Sequence, residues 1–538
     1  MVEESEHRRK LSPDDYRVSG LDALGNTDVL FSGYMPIGVS GPEGAFFFLL
    51  AMARKPTRKT VIWLNGGPGC SSMVGAMWEN GPFKISKADD DRAGFNITPN
   101  PHSWNTEGNI IFVEQPIRTG FSLAAAGART IRNEAQVAQD FAAFLQSFLA
   151  VFVELQGTEI YLTGESYAGM YIPNIAKTIL KQQQGQKIEI EIQLKGVAIG
   201  NGAIDPLQDL SYTEYAYSHG LIPLSAKQKI DNVAKACYLK TVKTGARVKN
   251  GRCDIMGQVL EAAGGPNEYD TGTFNSYSRI VEPGNVFDSF LNSPVIQEAL
   301  HVRGLNLPGL ENFKPEEGEE SDPEREPVYY TPAKWKCCND DINEAFGEDF
   351  VTSVPAIQFL SSAPGVRVLL YSGERDLNTN HLGTLHTLES NSWVGGRAWS
   401  TAERSLWRFS GDVAGTYQTL NNGKFSFLVV RNGGHLLPMD LPAASLEMLR
   451  RFLNDESFSD VKLPSYGRTE AELALQGAAN GALWERGGAN TLATFSVAFI
   501  SASFTLLLAA LFLKRLRVQS VLVVAPLYGS ISANPDEA

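Results

Sequence analysis

"EIYLTGESYAGMYIPNIA", residues 159–176, is an apolar run that stops at a glycine, crosses a glutamate, a serine and a tyrosine, and resumes with helical periodicity. A buried strand entering a helix through Gly164-Glu165-Ser166-Tyr167-Ala168-Gly169 is the layout of a nucleophile elbow, where a tight turn holds the serine hydroxyl out from the sheet. Small residues must flank such a turn. Ala168 stands where the usual G-x-S-x-G pattern has its second glycine, and Gly169 follows. Whether Ser166 is a nucleophile or a serine in an ordinary turn depends on what else the chain supplies.

Apolar runs bounded by glycine or proline recur at 45–53, 60–67, 109–116, 194–202, 366–373 and 425–434, and helical patterns cover 134–155 and 167–182. Strands alternating with helices predict an α/β fold with a doubly wound, mostly parallel sheet. The pattern changes between 203 and 345 to tyrosine-rich helical pieces, read as an inserted cap subdomain. The acidic run "KPEEGEESDPEREP" (314–327) within it reads as a solvated loop. The expected layout is therefore a core in two parts, 18–202 and 346–460, around that insertion, with a polar stalk at 461–490.

A hydrophobic content of 43% over 538 residues suits a globular protein of one large or two modest domains. The net charge of −13 repels phosphate backbones and excludes nucleic acid as a partner. Cys70, Cys237, Cys253, Cys337 and Cys338 have no zinc spacing, so neither a metal nor a cofactor is expected. "TLATFSVAFISASFTLLLAALFL", residues 491–513, carries no charge and is long enough for a transmembrane helix. Lys514, Arg515 and Arg517 follow it, which places the tail 514–538 in the cytosol and the bulk of the chain on the lumenal or outer side, as for a single-pass protein of the secretory or vacuolar/lysosomal pathway. That orientation requires a signal peptide, and the first residues lack its apolar core; a tail anchor with the enzyme in the cytosol is the alternative. The sequon at Asn96 fits lumenal glycosylation.

A serine hydroxyl needs a base within reach and a carboxylate to orient that base. Of seven histidines, His7, His102, His219, His301, His381 and His386 lie in polar, helical or loop segments. His435 directly follows an apolar strand and two glycines in "VVRNGGHLLPMD", where a loop can carry an imidazole over the elbow. Asp376 in "VLLYSGERDLNTN" is the expected acid, with Glu374 the fallback. The order serine, acid, histidine is that of α/β hydrolases. "WLNGGPGCSS", 63–72, offers glycine amides for an oxyanion hole, formed by Gly67 N–H with the Tyr167 amide. A phosphate-binding loop is excluded there by Pro68 and by the lack of a lysine.

Together "WLNGGPGCSS", "ENGPF", "EQP", "TGFS", "GESYAG", "GNG", "GERD" and "GGHLLPMD" resemble the serine carboxypeptidases of the carboxypeptidase Y type, over about Val18 to Leu453. The membrane-anchored layout is similar to that of the pheromone-processing branch. The resemblance implies an α/β-hydrolase fold and acyl-enzyme release of single C-terminal residues from peptides and proteins. It assigns Ser166, Asp376 and His435 as triad and the Gly67 and Tyr167 amides as oxyanion hole. It further implies that Asn65, Glu79 and Glu165, supported by Trp63, bind the substrate's terminal carboxylate. Two glutamates facing one carboxylate must share protons, which predicts an acidic optimum. Disulfides Cys70–Cys338 and Cys237–Cys253 are also implied, leaving Cys337 over.

The chain departs from the family pattern at Arg118, where glycine is usual and where a cation is expected near the site. It departs again at Thr379, where cysteine is frequent, and at Val74, where the pheromone-processing branch tends to have aspartate. Val74 and Leu436 are expected to give the side-chain pocket an apolar preference. The alternatives are an acyltransferase on the same scaffold, which Glu165 in place of aspartate argues against, and an inactive membrane-tethered binding protein, which the filled catalytic positions argue against.

Overall fold

The computed structural model describes residues 11–463, apart from 39–42, 88–93, 186–187, 246–250, 274–284, 306, 311–328, 331–333, 347–351, 391–392 and 394. Of the stalk expected at 461–490 only 461–463 are described, and Val461–Lys462 is a short strand of the sheet and not stalk; the rest of it, the expected membrane span at 491–513, the tail and the acidic run 314–327 lie outside the described residues. Among the described residues no helix is long and apolar enough to cross a membrane.

The strands in chain order are β1 (Leu30–Ile37), β2 (Gly44–Ala51), β3 (Lys59–Leu64), β4 (Phe83–Lys87), β5 (Phe95–Pro99), β6 (Asn109–Val113), β7 (Leu123–Ala124), β8 (Glu159–Glu165) and β9 (Gln193–Gly200). There follow β10 (Gly304–Leu305), β11 (Tyr329–Tyr330), β12 (Arg367–Gly373), β13 (Arg404–Phe409), β14 (Asp412–Leu420), β15 (Phe425–Val430) and β16 (Val461–Lys462). One sheet runs β1-β2-β6-β3-β8-β9-β12-β15-β14-β13-β16, with β7 paired to β2.

The expectation of a mostly parallel sheet needs correction. Strands β6, β3, β8, β9, β12 and β15 are parallel, but β1, β2 and β7 on one side and β14, β13 and β16 on the other are antiparallel, so the sheet is mixed. The reason is visible in β2, whose "GAFFFLLA" is buried throughout and reads like an internal parallel strand. Its side chains alternate between the two cores, Phe46, Phe48 and Leu50 to one and Phe47 and Leu49 to the other, so burial on both faces does not require a parallel neighbour. The outer strands β13 and β14 instead have only part of their residues buried, as antiparallel strands with one solvated face do.

Helix α1 (Glu134–Val151) starts at Asn133, whose side chain accepts the Gln136 amide at 3.1 Å. It buries Val137, Phe141, Phe144, Leu145 and Phe148 on one stripe against the sheet. Each such side chain contributes about 1.5–3 kcal/mol. Helix α2 (Ala168–Gln184) lies beside it on the same face. Between β9 and β12, α3 (Tyr212–Ser218), α4 (Leu224–Thr244) and α5 (Ile255–Ala263) close around a small separate core of Tyr215, Ala216, Ile230 and Val259. Leu377, next to Asp376, is part of that core. Farther along, Phe290, Leu291, Ile296, Leu300 and Trp335 pack into the second face of the main sheet. The Cys237–Cys253 disulfide ties α4 to the turn Gly251–Cys253.

Candidate active site

Every expected site segment leaves the carboxyl end of a parallel strand: Gly67 after β3, Ser166 after β8, Asp376 after β12 and His435 after β15. This is the rim where open α/β sheets place their sites. Ser166 sits at φ +60°, the strained left-handed conformation of an elbow, and its side chain is half-buried. Its amide donates to the Gly200 carbonyl at 3.0 Å, and its carbonyl accepts the amides of Gly169 and Ala203 at 3.0 Å each. A side chain at Gly164 would overlap the Leu64 carbonyl oxygen, which is why the turn begins on glycine.

His435 is buried, and its Nδ1–H donates to Asp376 Oδ2 at 2.9 Å. The fallback Glu374 is elsewhere, accepting the Asn432 amide. Asp376 is fully buried and held by the Asn201 amide group at 2.6 Å, the Asn378 amide at 2.8 Å and the Thr379 hydroxyl at 2.8 Å. Among the described residues no hydrogen bond joins Ser166 Oγ to His435. Such bonds are often long without substrate and tighten in the reactive complex. His301, His386 and His219 are engaged with the Ser32 carbonyl, Glu214 and the Tyr215 ring.

The loop after β3 turns at Gly66 and Gly67 against the elbow, so closely that a side chain at Gly66 would overlap the Tyr167 amide nitrogen. Cys70 on this loop is bonded to Cys338, and Ser71 donates its amide to the Cys337 carbonyl at 2.8 Å. Asn65 bridges the two glutamates, donating to Glu79 Oε1 at 3.2 Å and Glu165 Oε1 at 3.0 Å. Its own oxygen accepts Trp63 Nε1–H at 2.8 Å and the Gly75 amide at 3.1 Å, which fixes the side chain's orientation. Glu79 is delivered by a π-helical turn, Gly75–Glu79, whose last carbonyls are capped by Lys84 Nζ. Single π turns of this kind recur at functional sites.

Burial pushes the Glu79 carboxyl up to about 7. Glu165 is held well above the usual carboxylate range, first by burial, then by the charge of Glu79 and the hydrogen bond between the two acids, then by Asp376 and Asp440. Oε2 of each has no partner outside the pair among the described residues. The arrangement puts two buried carboxyls with raised pKa values and one amide donor beside the elbow. Val74 and Leu436 are both buried, at the head of the π turn and beside His435. Arg118 adopts φ +71°, which explains the glycine in the family pattern, and its guanidinium donates to the Arg129 and Ala128 carbonyls. Asn96 is exposed on β5.

Several residues of the site had no role in the sequence reading. Asn201 directly follows β9 within the quoted "GNG", and Tyr269 lies against the His435 ring at 4.5 Å while its carbonyl accepts the His435 amide at 2.7 Å. The Glu268 carbonyl accepts the Leu377 and Asn378 amides. Asp440 holds the Gly434 amide at 2.8 Å and is pushed up to about 6 by burial. In "EQP", Glu114 is a buried acid raised to about 7 by burial, bonded to Ser71, to the Phe121 amide and to Trp335. Asn201 had a motif to betray it. Tyr269 had none, because its role is made by tertiary contact.

Residues 25–316 and 327–455 match the family model described as serine carboxypeptidase. The chain is 30% identical over 471 residues to serine carboxypeptidase S10 family member 2 of Dictyostelium discoideum, covering 84% of this chain and 78% of that protein. It is 31% identical over 467 residues to the pheromone-processing carboxypeptidase KEX1 of Phaeosphaeria nodorum, covering 82% and 67%. The crystal structure of a prohormone-processing carboxypeptidase from Saccharomyces cerevisiae superimposes with a TM-score of 0.66 at 24% identity, covering 82% of this chain and 96% of that one, and shares the α/β-hydrolase fold. With sequence matches over most of its length and that fold, the chain belongs to the serine carboxypeptidase family and is a serine-type carboxypeptidase.

Proposed function

We propose that Ser166 is the nucleophile, His435 the general base and acid, and Asp376 the carboxylate that orients His435 and stabilises its cation. Ser166 Oγ attacks the carbonyl of the last peptide bond as its proton passes to His435 Nε2. The oxyanion meets the amides of Gly67 and Tyr167. The tetrahedral adduct collapses to an acyl-enzyme as the proton moves to the leaving amine, and the C-terminal amino acid departs. Water then attacks the ester by the same proton route, restoring Ser166.

Asn65, Glu79 and Glu165, oriented by Trp63, hold the terminal carboxylate. A protonated carboxyl donates to it and the Asn65 amide adds a second donor, so the pocket selects free C-termini under mildly acidic conditions. Val74 and Leu436 favour an apolar last side chain. The disulfides and the exposed Asn96 sequon support a lumenal catalytic region of the secretory or vacuolar pathway, and the apolar stretch 491–513 supports a single-pass anchor.

The observation that carries this reading is the Asn65 side chain bridging two buried glutamates, one of them next to the elbow serine in sequence. Incubation with N-blocked dipeptides at acid pH is expected to release the last residue. Ser166→Ala should abolish both this release and fluorophosphonate labelling. Equal cleavage of the same peptides amidated at the C-terminus would overturn the carboxylate pocket.

A further inference from the structure

Thr379 stands three residues past Asp376, is 8% exposed, and touches both members of the acid–histidine pair. Its hydroxyl donates to Asp376 Oδ2 at 2.8 Å, and the same oxygen lies 3.1 Å from His435 Nδ1. Because the hydroxyl hydrogen is committed to the carboxylate, the lone pairs of Oγ1 face the imidazole. The Nδ1–H of His435 is therefore shared between two acceptors, Asp376 Oδ2 at 2.9 Å and Thr379 Oγ1. We propose that Thr379 is a positioning residue of the catalytic pair, whose hydroxyl fixes the rotation of the His435 ring and keeps Asp376 in its acceptor role.

Two physical arguments support this. An imidazole held by one hydrogen bond can swing about that bond, and a swing of the ring carries Nε2 away from Ser166 Oγ. A second acceptor on the same N–H removes that freedom. Asp376 Oδ2 also accepts from Asn201 Nδ2 at 2.6 Å and from the Thr379 amide at 3.3 Å, so with His435 and the Thr379 hydroxyl four donors converge on one oxygen in a fully buried place. A side chain without the hydroxyl at 379 would leave Oδ2 short of a donor and Nδ1–H with one acceptor, and burial leaves little room for water to replace either.

The proposal rests on the assignment of Ser166, His435 and Asp376 above, and the test separates the two. Thr379→Val keeps the shape and removes the hydroxyl. It is expected to lower kcat about tenfold with KM for a blocked dipeptide nearly unchanged, and to slow fluorophosphonate labelling of Ser166 by the same factor. Thr379→Ser should recover most of both rates, and the downfield proton resonance of His435 Nδ1–H should move in the Val variant and not in the Ser variant. Parent rates and an unmoved resonance in folded Thr379→Val would overturn the assignment. Should the Val variant fail to fold, Thr379→Ser decides alone: a tenfold loss of kcat there would mean that the methyl group matters and not the hydroxyl. His435→Ala labelling at the parent rate would instead overturn the underlying triad, whatever the behaviour at 379.

Discussion

At the scale of residues, the decisive chemistry is a pair of acids that cannot both be charged. Glu79 and Glu165 share one donor, Asn65, and burial is the first cause of both raised pKa values. His435 draws Glu79 down, while Asp440 raises both and Asp376 raises Glu165. Below about 7 Glu79 keeps a proton, which in the proposed pocket is available to a peptide's carboxylate. As pH rises through that value Glu79 ionises beside Glu165, whose own carboxyl is held well above the usual range, and a charged carboxyl a few ångströms from a peptide's carboxylate in a buried site would repel it by several kcal/mol. KM for a blocked dipeptide is therefore expected to rise at least tenfold between pH 5.5 and 8, with no matching fall in the fluorophosphonate labelling rate. Glu79→Gln and Glu165→Gln should each weaken peptide binding at acid pH about tenfold or more and flatten its pH dependence. Variants that leave a steep profile unchanged would show that the titrating groups lie elsewhere.

At the scale of elements, the loop after β3 is built to be rigid. It is bonded through Cys70 to Cys338, a bridge that spans 268 residues of chain, and through the Ser71 amide to Cys337. Cys70→Ser is expected to cost about 2–4 kcal/mol of stability by denaturant unfolding. It should also reduce kcat more than Cys237→Ser, since the second bridge closes only 16 residues within the helical insertion. The sequence announced these elements unevenly. Strand β8 and its elbow could be read because a continuous apolar run, a glycine and a helical pattern coincide. The outer strands were misjudged because burial on both faces looks the same in parallel and antiparallel neighbours. Arg118 reads as a cation near the site from its position, and only the fold shows its charge spent on the Ala128 and Arg129 carbonyls.

At the scale of the whole molecule, burial raises the pKa of several acids. Glu114 is raised to about 7, Glu134 to about 8 and Asp440 to about 6, with burial the first cause each time, in addition to the Glu79 and Glu165 pair. A carboxyl whose pKa is raised by folding binds its proton more tightly in the folded state. Its stabilising effect is complete below the unfolded value of about 4.5 and disappears as pH rises through the folded one. The lowered acids Glu214 and Glu447 work in the opposite sense, but they lie nearer the surface and titrate at lower pH. The unfolding midpoint should thus be higher at pH 5 than at pH 8, measured by calorimetry, and a midpoint that climbs with pH would contradict it. The triad segments were legible because each follows a strand at one rim. The second tier was not, since Tyr269 and Glu268 act through main-chain carbonyls that any residue type supplies.

Those two carbonyls have a practical consequence. Main-chain amides at 377, 378 and 435 hang from oxygens at 268 and 269, which belong to the helical insertion and not to the sheet. Trimming this enzyme to a bare hydrolase scaffold would cut the struts from beneath both the proposed base and the proposed acid, so a transplanted or redesigned insertion must first supply replacement acceptors at those points before any new specificity is attempted.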